Sequence, residues 1–230
     1  MPVFPTERGG MSRKRIFLAA DEQLLPALSA PLRRAGLSVE TFNRQSELVP
    51  AVRIDPPDAL LLSARLPDGS ALAAFLSLGA SPPPTVVVLA QSQLSLRPDL
   101  LKAGVRDVVI SPIKPKLLSA KMAEVAGGIK RADARDRVAV PIVLEFKEQK
   151  IGGVTIDISR EGLGLSLWEP VPEGSVVGVT LTNKTGSLQV WGRVLHVRRD
   201  GERTQAGVRL LGLVPEEEAT LLRFARPVSE

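Results

Sequence analysis

Apolar positions along the chain follow two different rhythms. From Arg15 to about Ala126, short runs of aliphatic residues alternate with stretches of helical spacing. The runs RIFLAA (15–20), LSVETF (37–42), DALLLS (58–63), TVVVLA (85–90) and VRDVVI (105–110) are apolar on mostly consecutive positions. Strands covered on both faces have that pattern. Leu24, Leu28 and Leu32 recur every four residues and share one helical face. Asp21 stands where it caps that helix and Gly36 where it stops it, while Pro31 predicts a kink or an early end. Further helices are predicted over 45–52, 70–78, 97–103 and 115–125. Five βα units in series predict an α/β fold, a doubly wound parallel five-stranded sheet with right-handed crossovers.

From Arg137 the period changes. RVAVPIVLEF, GVTIDIS, GLGLSLW, SVVGVTLT, SLQVWGRVLHVRR and TQAGVRLLGL read as six strands separated by Gly, Asn, Asp and Pro turns. Several alternate apolar with polar residues, as half-buried strands do. PEEEATLLRFA (215–225) closes the pattern as a helix, with Glu216–Glu218 in the first turn where the helix dipole favours acid. A six-stranded antiparallel β-barrel with a C-terminal helix is expected. The expected division is a loose tail over 1–12, an α/β domain over 13–126, an Arg-rich linker over 127–137 and a barrel domain over 138–230. The tail carries two prolines and two glycines ahead of a second methionine, Met11; the product of an early-called start codon is the alternative reading.

Composition narrows the chemistry. The 230 residues are 44% hydrophobic, enough for packed cores. There is no cysteine, so no disulfide or thiolate site can form, and a single histidine, His196, disfavours zinc and His-dependent acid–base chemistry. The net charge of +5 invites a nucleic-acid reading, but aromatics are only 3% and tyrosine is absent, so a base-stacking platform is hard to assemble. No apolar run approaches the ~20 residues of a bilayer span and no secretory signal opens the chain; the expectation is no membrane span and a cytoplasmic location. No Gly-rich phosphate loop and no nucleophile with a base are visible, so no enzyme activity, metal or cofactor is expected. Trp168 and Trp191 are expected in the core or at the barrel mouth, His196 as an ordinary strand histidine, and Arg198 and Arg199 as exposed turn neighbours.

The passages PPDALLLSARLPDGS, VVVLAQSQ and GVRDVVISPIKP resemble the third, fourth and fifth strands, with their loops, of response-regulator receiver domains, and the resemblance covers nearly all of 13–126. That family transfers a phosphoryl group to an aspartate, with an acidic pair for Mg²⁺, a Thr or Ser, and a Lys before a turn proline. Here the acidic pair aligns with Ala20 and Asp21, the acceptor position is Ser63, the Thr/Ser position is Ala90, and the lysine position is Ser111 before Pro112. Magnesium needs hard oxygen ligands that this set does not supply. The resemblance therefore implies a degenerate, non-phosphorylatable pseudo-receiver. Such domains commonly pair through their last two helices, which implies docking of an unidentified protein partner or a second copy through about 97–126, near Lys114, Lys116 and Lys121.

In the second half, Asp157-x-Ser159-x-x-Gly162 resembles the D/N-x-S-x-x-G signature of PilZ domains, bacterial receptors for cyclic di-GMP. Asp and Ser at alternate positions of a strand end face one side and can bond guanine edges. Gly162 leaves space for a ligand or for a left-handed backbone. The family also has R-x-x-x-R ahead of its first strand, clamping phosphates with the planar fork of arginine. Arg131 and Arg135 have that spacing but lie two residues early; in the usual register Arg137 is the second arginine and Asp133 stands in place of the first. Loss of one charge-assisted bond, ~1.5–3 kcal/mol, weakens binding roughly ten- to a hundred-fold. The implied site is Arg131, Arg135, Arg137, Asp157, Ser159 and Gly162, with cyclic di-GMP as ligand and no cofactor. The expected function is a cyclic di-GMP-binding signalling adapter. The alternative is a protein-interaction module with both domains degenerate and no nucleotide bound.

Overall fold

The computed structural model describes residues 13–127, 136–184 and 186–225. The first half runs β1 (Arg15–Ala19), α1 (Leu25–Arg34), β2 (Ser38–Phe42), α2 (Gln45–Ile54), β3 (Ala59–Ser63), a two-strand hairpin β4 (Arg65–Leu66) and β5 (Gly69–Ser70), α3 (Ala71–Ser77), β6 (Thr85–Ala90), a 3₁₀ turn over 91–96, α4 (Arg97–Ala103), β7 (Asp107–Ser111) and α5 (Pro115–Val125). The sheet order is β2-β1-β3-β6-β7, and β1 pairs in parallel with both β2 and β3. Every residue of β3 is buried, the result of cover on both faces.

The α1 helix stops at Gly36 as expected, but its start and its passage through Pro31 differ from the sequence expectation. The Asp21 carboxylate accepts from the N–H groups of Gln23 and Leu24, both at 3.0 Å, so it organises the turn before the helix, which begins at Leu25. The helix also continues through Pro31 to Arg34. Buried Leu28 and Leu32 on either side of the proline hold this stretch, and tertiary packing overrides the local penalty. The α2 helix receives its cap from outside: Asp68, in the β4–β5 hairpin, accepts from the N–H groups of Gln45 at 2.7 Å and Ser46 at 3.0 Å. Those two donors, Ser46 first, lower the Asp68 carboxyl to about 2.

The second half is a closed antiparallel barrel, β10-β13-β12-β11-β8-β9. Its strands are β8 (Pro141–Phe146), β9 (Gln149–Ile158), β10 (Gly162–Leu167), β11 (Val176–Asn183), β12 (Gly186–Asp200) and β13 (Arg203–Leu211), followed by α6 (Pro215–Phe224). Leu144, Ile158, Leu165 and Val190 fill the interior, and α6 adds Leu221 and Phe224 to the same core. Each such side chain contributes about 1.5–3 kcal/mol by leaving water.

The chain divides into two compact units, Met1–Val86 with Lys114–Ile129, and Val87–Ile113 with Lys130–Glu230. Within the second unit, buried Arg97 at the start of α4 donates to the Gly212 carbonyl and to both oxygens of Glu217, each at 2.8 Å. Buried Asp107 accepts from the Gly212 N–H at 3.1 Å. The α4–β7 segment is thereby bonded to the loop that joins β13 to α6.

Candidate functional site

The positions that align with receiver chemistry sit at the carboxyl ends of β1, β3, β6 and β7. Ala20 and Ser63 are buried, and Ala90 is exposed. Ser111 precedes Pro112 through a cis peptide bond. Asp21 is the one carboxylate at these aligned positions, and its oxygen is bonded to two backbone N–H groups. A carboxylate anchored in this way leaves an acceptor place occupied by a hydroxyl, with a methyl group at each of the Ala20 and Ala90 positions.

On the barrel, the turn between β9 and β10 holds the second motif. The Ser159 hydroxyl accepts from the Gly162 N–H at 3.0 Å and donates to the Gly162 carbonyl at 3.1 Å, while the Ser159 N–H donates to the same carbonyl at 2.9 Å. Ser159 is buried, so it shapes the turn from within instead of sharing an outer face with Asp157. Gly162 does not have a positive φ. Glycine is required there because a Cβ would stand 2.9 Å from the Val208 carbonyl oxygen of β13.

Asp157 reaches the outside of the barrel through a β-bulge. Leu165 pairs with Thr155 and Gly164 with Asp157, so Ile156 is the extra residue. Strict alternation from buried Thr155 would have turned Asp157 inward. Its carboxylate instead lies over Gly164, where a Cβ would meet Oδ2 at 2.8 Å. Thr155 is fixed in turn: its Oγ1 accepts from the Val140 N–H at 2.9 Å and donates to the Val138 carbonyl.

The linker and the turn converge. The Asp136 N–H donates to the Ile158 carbonyl and the Ile158 N–H to the Asp136 carbonyl, both at 2.9 Å. This bridge sets the last residues of the Arg-rich segment against the Asp157–Ser159 end of β9, with Arg137 exposed beside it. Arg131 and Arg135 lie outside the described residues. Arg160, in the turn itself, is 3.7 Å from Glu218 on α6.

One aromatic expectation needs revision. Trp168 is 62% exposed and covers Gly152 on the barrel exterior, since β9 has no side chain there to keep the indole away. Trp191 is half-buried, with the Lys102 ammonium 5.6 Å from its ring centre. His196 is exposed and leans over Gly207, a position that sequence reasoning had no signal to mark.

The family model of the PilZ domain matches residues 129–226. The C-terminal half of the chain is a PilZ domain. A curated relative, the transcriptional regulatory protein CreB of Escherichia coli, is 29% identical over 124 residues, covering 53% of this chain and 54% of its own; the chain thus spans about half the length of that relative. Among solved structures, the receiver domain of a sensor histidine kinase from Pseudomonas aeruginosa, with magnesium in its active-site cleft, is 23% identical, with a TM-score of 0.46 over 51% of this chain and 100% of that one. An inhibitor of motility from Bacillus subtilis is 13% identical, with a TM-score of 0.37 over 42% of this chain and 50% of that one. The chain joins a five-stranded parallel α/β fold in its first half to the PilZ barrel in its second. No helix among the described residues is long and apolar enough to cross a membrane.

Proposed function

We propose that the PilZ domain binds cyclic di-GMP on the outer face of its barrel, and that the receiver-like half is a docking element which does not accept a phosphoryl group. The observation that carries the ligand reading is the pairing of Asp136 with Ile158, which joins the Arg-rich linker to the D-x-S-x-x-G turn. One element offers guanidinium groups for two phosphates, the other a carboxylate for the N–H groups of guanine. Gly164 leaves open backbone under that carboxylate, and Ser159 keeps the turn in one shape from inside.

For the first half, Ala20, Ser63, Ala90 and Ser111 leave neither a metal site nor an acyl acceptor at the aligned positions. Its proposed role is docking of a protein partner or a second copy. With Arg97 and Asp107 buried, the exposed residues of the expected surface include Asp99, Lys102 and Arg106, and Lys114, Lys116 and Leu117 at the start of α5. The interaction-module alternative is favoured by Asp133, an acid at the place of the first family arginine. Affinity for cyclic di-GMP before and after Asp157→Ala separates the two: the ligand reading expects at least a tenfold loss, and the alternative expects no binding in either protein.

A further inference from the structure

His196 has the same relationship to the barrel surface as Asp157, with two strands between them. Val194 pairs with Val208 and His196 with Gly207, so Leu195 is an extra residue and β12 carries a bulge of its own. Without it, alternation from buried Val194 would send His196 into the core. The bulge turns it outward, where Cε1 and both ring nitrogens lie 2.1–2.7 Å from the place a Cβ on Gly207 would occupy. Gly164 and Gly207 are themselves directly paired across β10 and β13. Asp157, Gly164, Gly207 and His196 therefore form one row across four neighbouring strands, β9-β10-β13-β12.

Neither glycine has a positive φ, so the backbone alone does not call for glycine. The demand comes from the side chains that lie across them. Two bulges on the flanking strands and two bare residues on the inner ones let the carboxylate and the imidazole lie side by side on the barrel surface, each over a glycine. Bulges that re-aim a side chain are a recurrent device beside binding sites. The imidazole makes no hydrogen bond with the described residues and rests on the bare backbone of Gly207.

We propose that His196 is a base-contacting residue of the ligand site: its ring is the platform on which a guanine stacks while the base turns its N1–H and N2–H₂ edge to Asp157. The inference rests on the cyclic di-GMP reading above. Guanine suits the pair because its donor edge meets the carboxylate, whereas adenine would bring its N1 acceptor against that negative charge. Stacking on an aromatic side chain is indifferent to the base, so specificity falls to Asp157 and affinity to both. With tyrosine absent from the chain, an imidazole is the π-surface that this row supplies.

The chain has a single histidine, so its imidazole resonances identify themselves in a ¹H–¹⁵N spectrum. Titration of the intact chain with cyclic di-GMP is expected to shift them saturably, with the dissociation constant found by calorimetry. His196→Ala is expected to weaken binding about tenfold, and His196→Phe to keep most of the affinity. If the unaltered chain binds no cyclic di-GMP, the ligand reading fails and this inference with it. If it binds, but the histidine resonances stay still and His196→Ala binds as tightly, the inference alone is overturned. Loss of affinity in His196→Phe equal to that in His196→Ala likewise contradicts a stacking role.

Discussion

Ser159 and Gly162 close the turn of the PilZ motif on each other: one hydroxyl both accepts from the Gly162 N–H and donates to its carbonyl. Removing it leaves a buried N–H without its acceptor. Ser159→Ala should lower barrel stability by about 1–3 kcal/mol. Gly162→Ala should cost a similar ~1–3 kcal/mol, because the new methyl group presses on the Val208 carbonyl oxygen. Urea denaturation of each variant checks both, and a stability equal to the parent in either would show that the turn is held by other contacts.

A second prediction concerns the second unit. The Arg97–Glu217 pair is largely shielded from water, and Glu217 also accepts from the Val214 N–H. Arg97→Met strands that carboxylate and the Gly212 carbonyl, at a cost of roughly 3 kcal/mol. Replacing Glu217 with Met as well should recover most of the loss, since a charge is no longer buried without its partner. Equilibrium denaturation of the two variants provides the comparison.

Asp68 sets a pH dependence on α2. Its folded-state value, about 2, is below the ordinary 3.8 because the N–H groups of Ser46 and Gln45 favour the carboxylate. Its contribution is fully present above about 3.8 and disappears as pH falls towards about 2. Asp68→Ala should therefore melt earlier than the parent at neutral pH, with the gap closing across that window. A gap that stays constant down to pH 2 would mean that the charge on Asp68 is not what holds the helix start.

Acetyl phosphate with Mg²⁺ should leave the chain unmodified, as read by intact mass. Ser63→Asp alone should not restore labelling, because Ala20, Ala90 and Ser111 still lack the carboxylate, hydroxyl and ammonium that the reaction uses. A hydroxylamine-labile adduct on either protein would contradict the pseudo-receiver reading.

Much of this architecture was legible in the chain. Consecutive apolar residues, as in ALLLS, mark strands covered on both faces, and the predicted limits of α4 and α5 match those observed. What escaped were features set by distant contacts. Pro31 gave no sign that Leu28 and Leu32 would hold the helix past it. The outward turn of Asp157 and His196 depends on bulges at Ile156 and Leu195, single-residue slips of a period-two pattern that look the same in sequence as an unbroken strand. Ser159 was read as a face residue, whereas its hydroxyl is bonded within its own turn.

The most direct measurement is a calorimetric titration of the intact chain with cyclic di-GMP, with GTP as control, repeated on Arg137→Ala and on the double variant Arg131→Ala, Arg135→Ala. The account predicts saturable binding of cyclic di-GMP alone, lost or weakened at least tenfold when the arginines that clamp the phosphates are removed. Loss in the double variant assigns the clamp to the early register, and loss in Arg137→Ala to the usual one. The absence of heat at saturating ligand, or binding that no arginine variant changes, would contradict it.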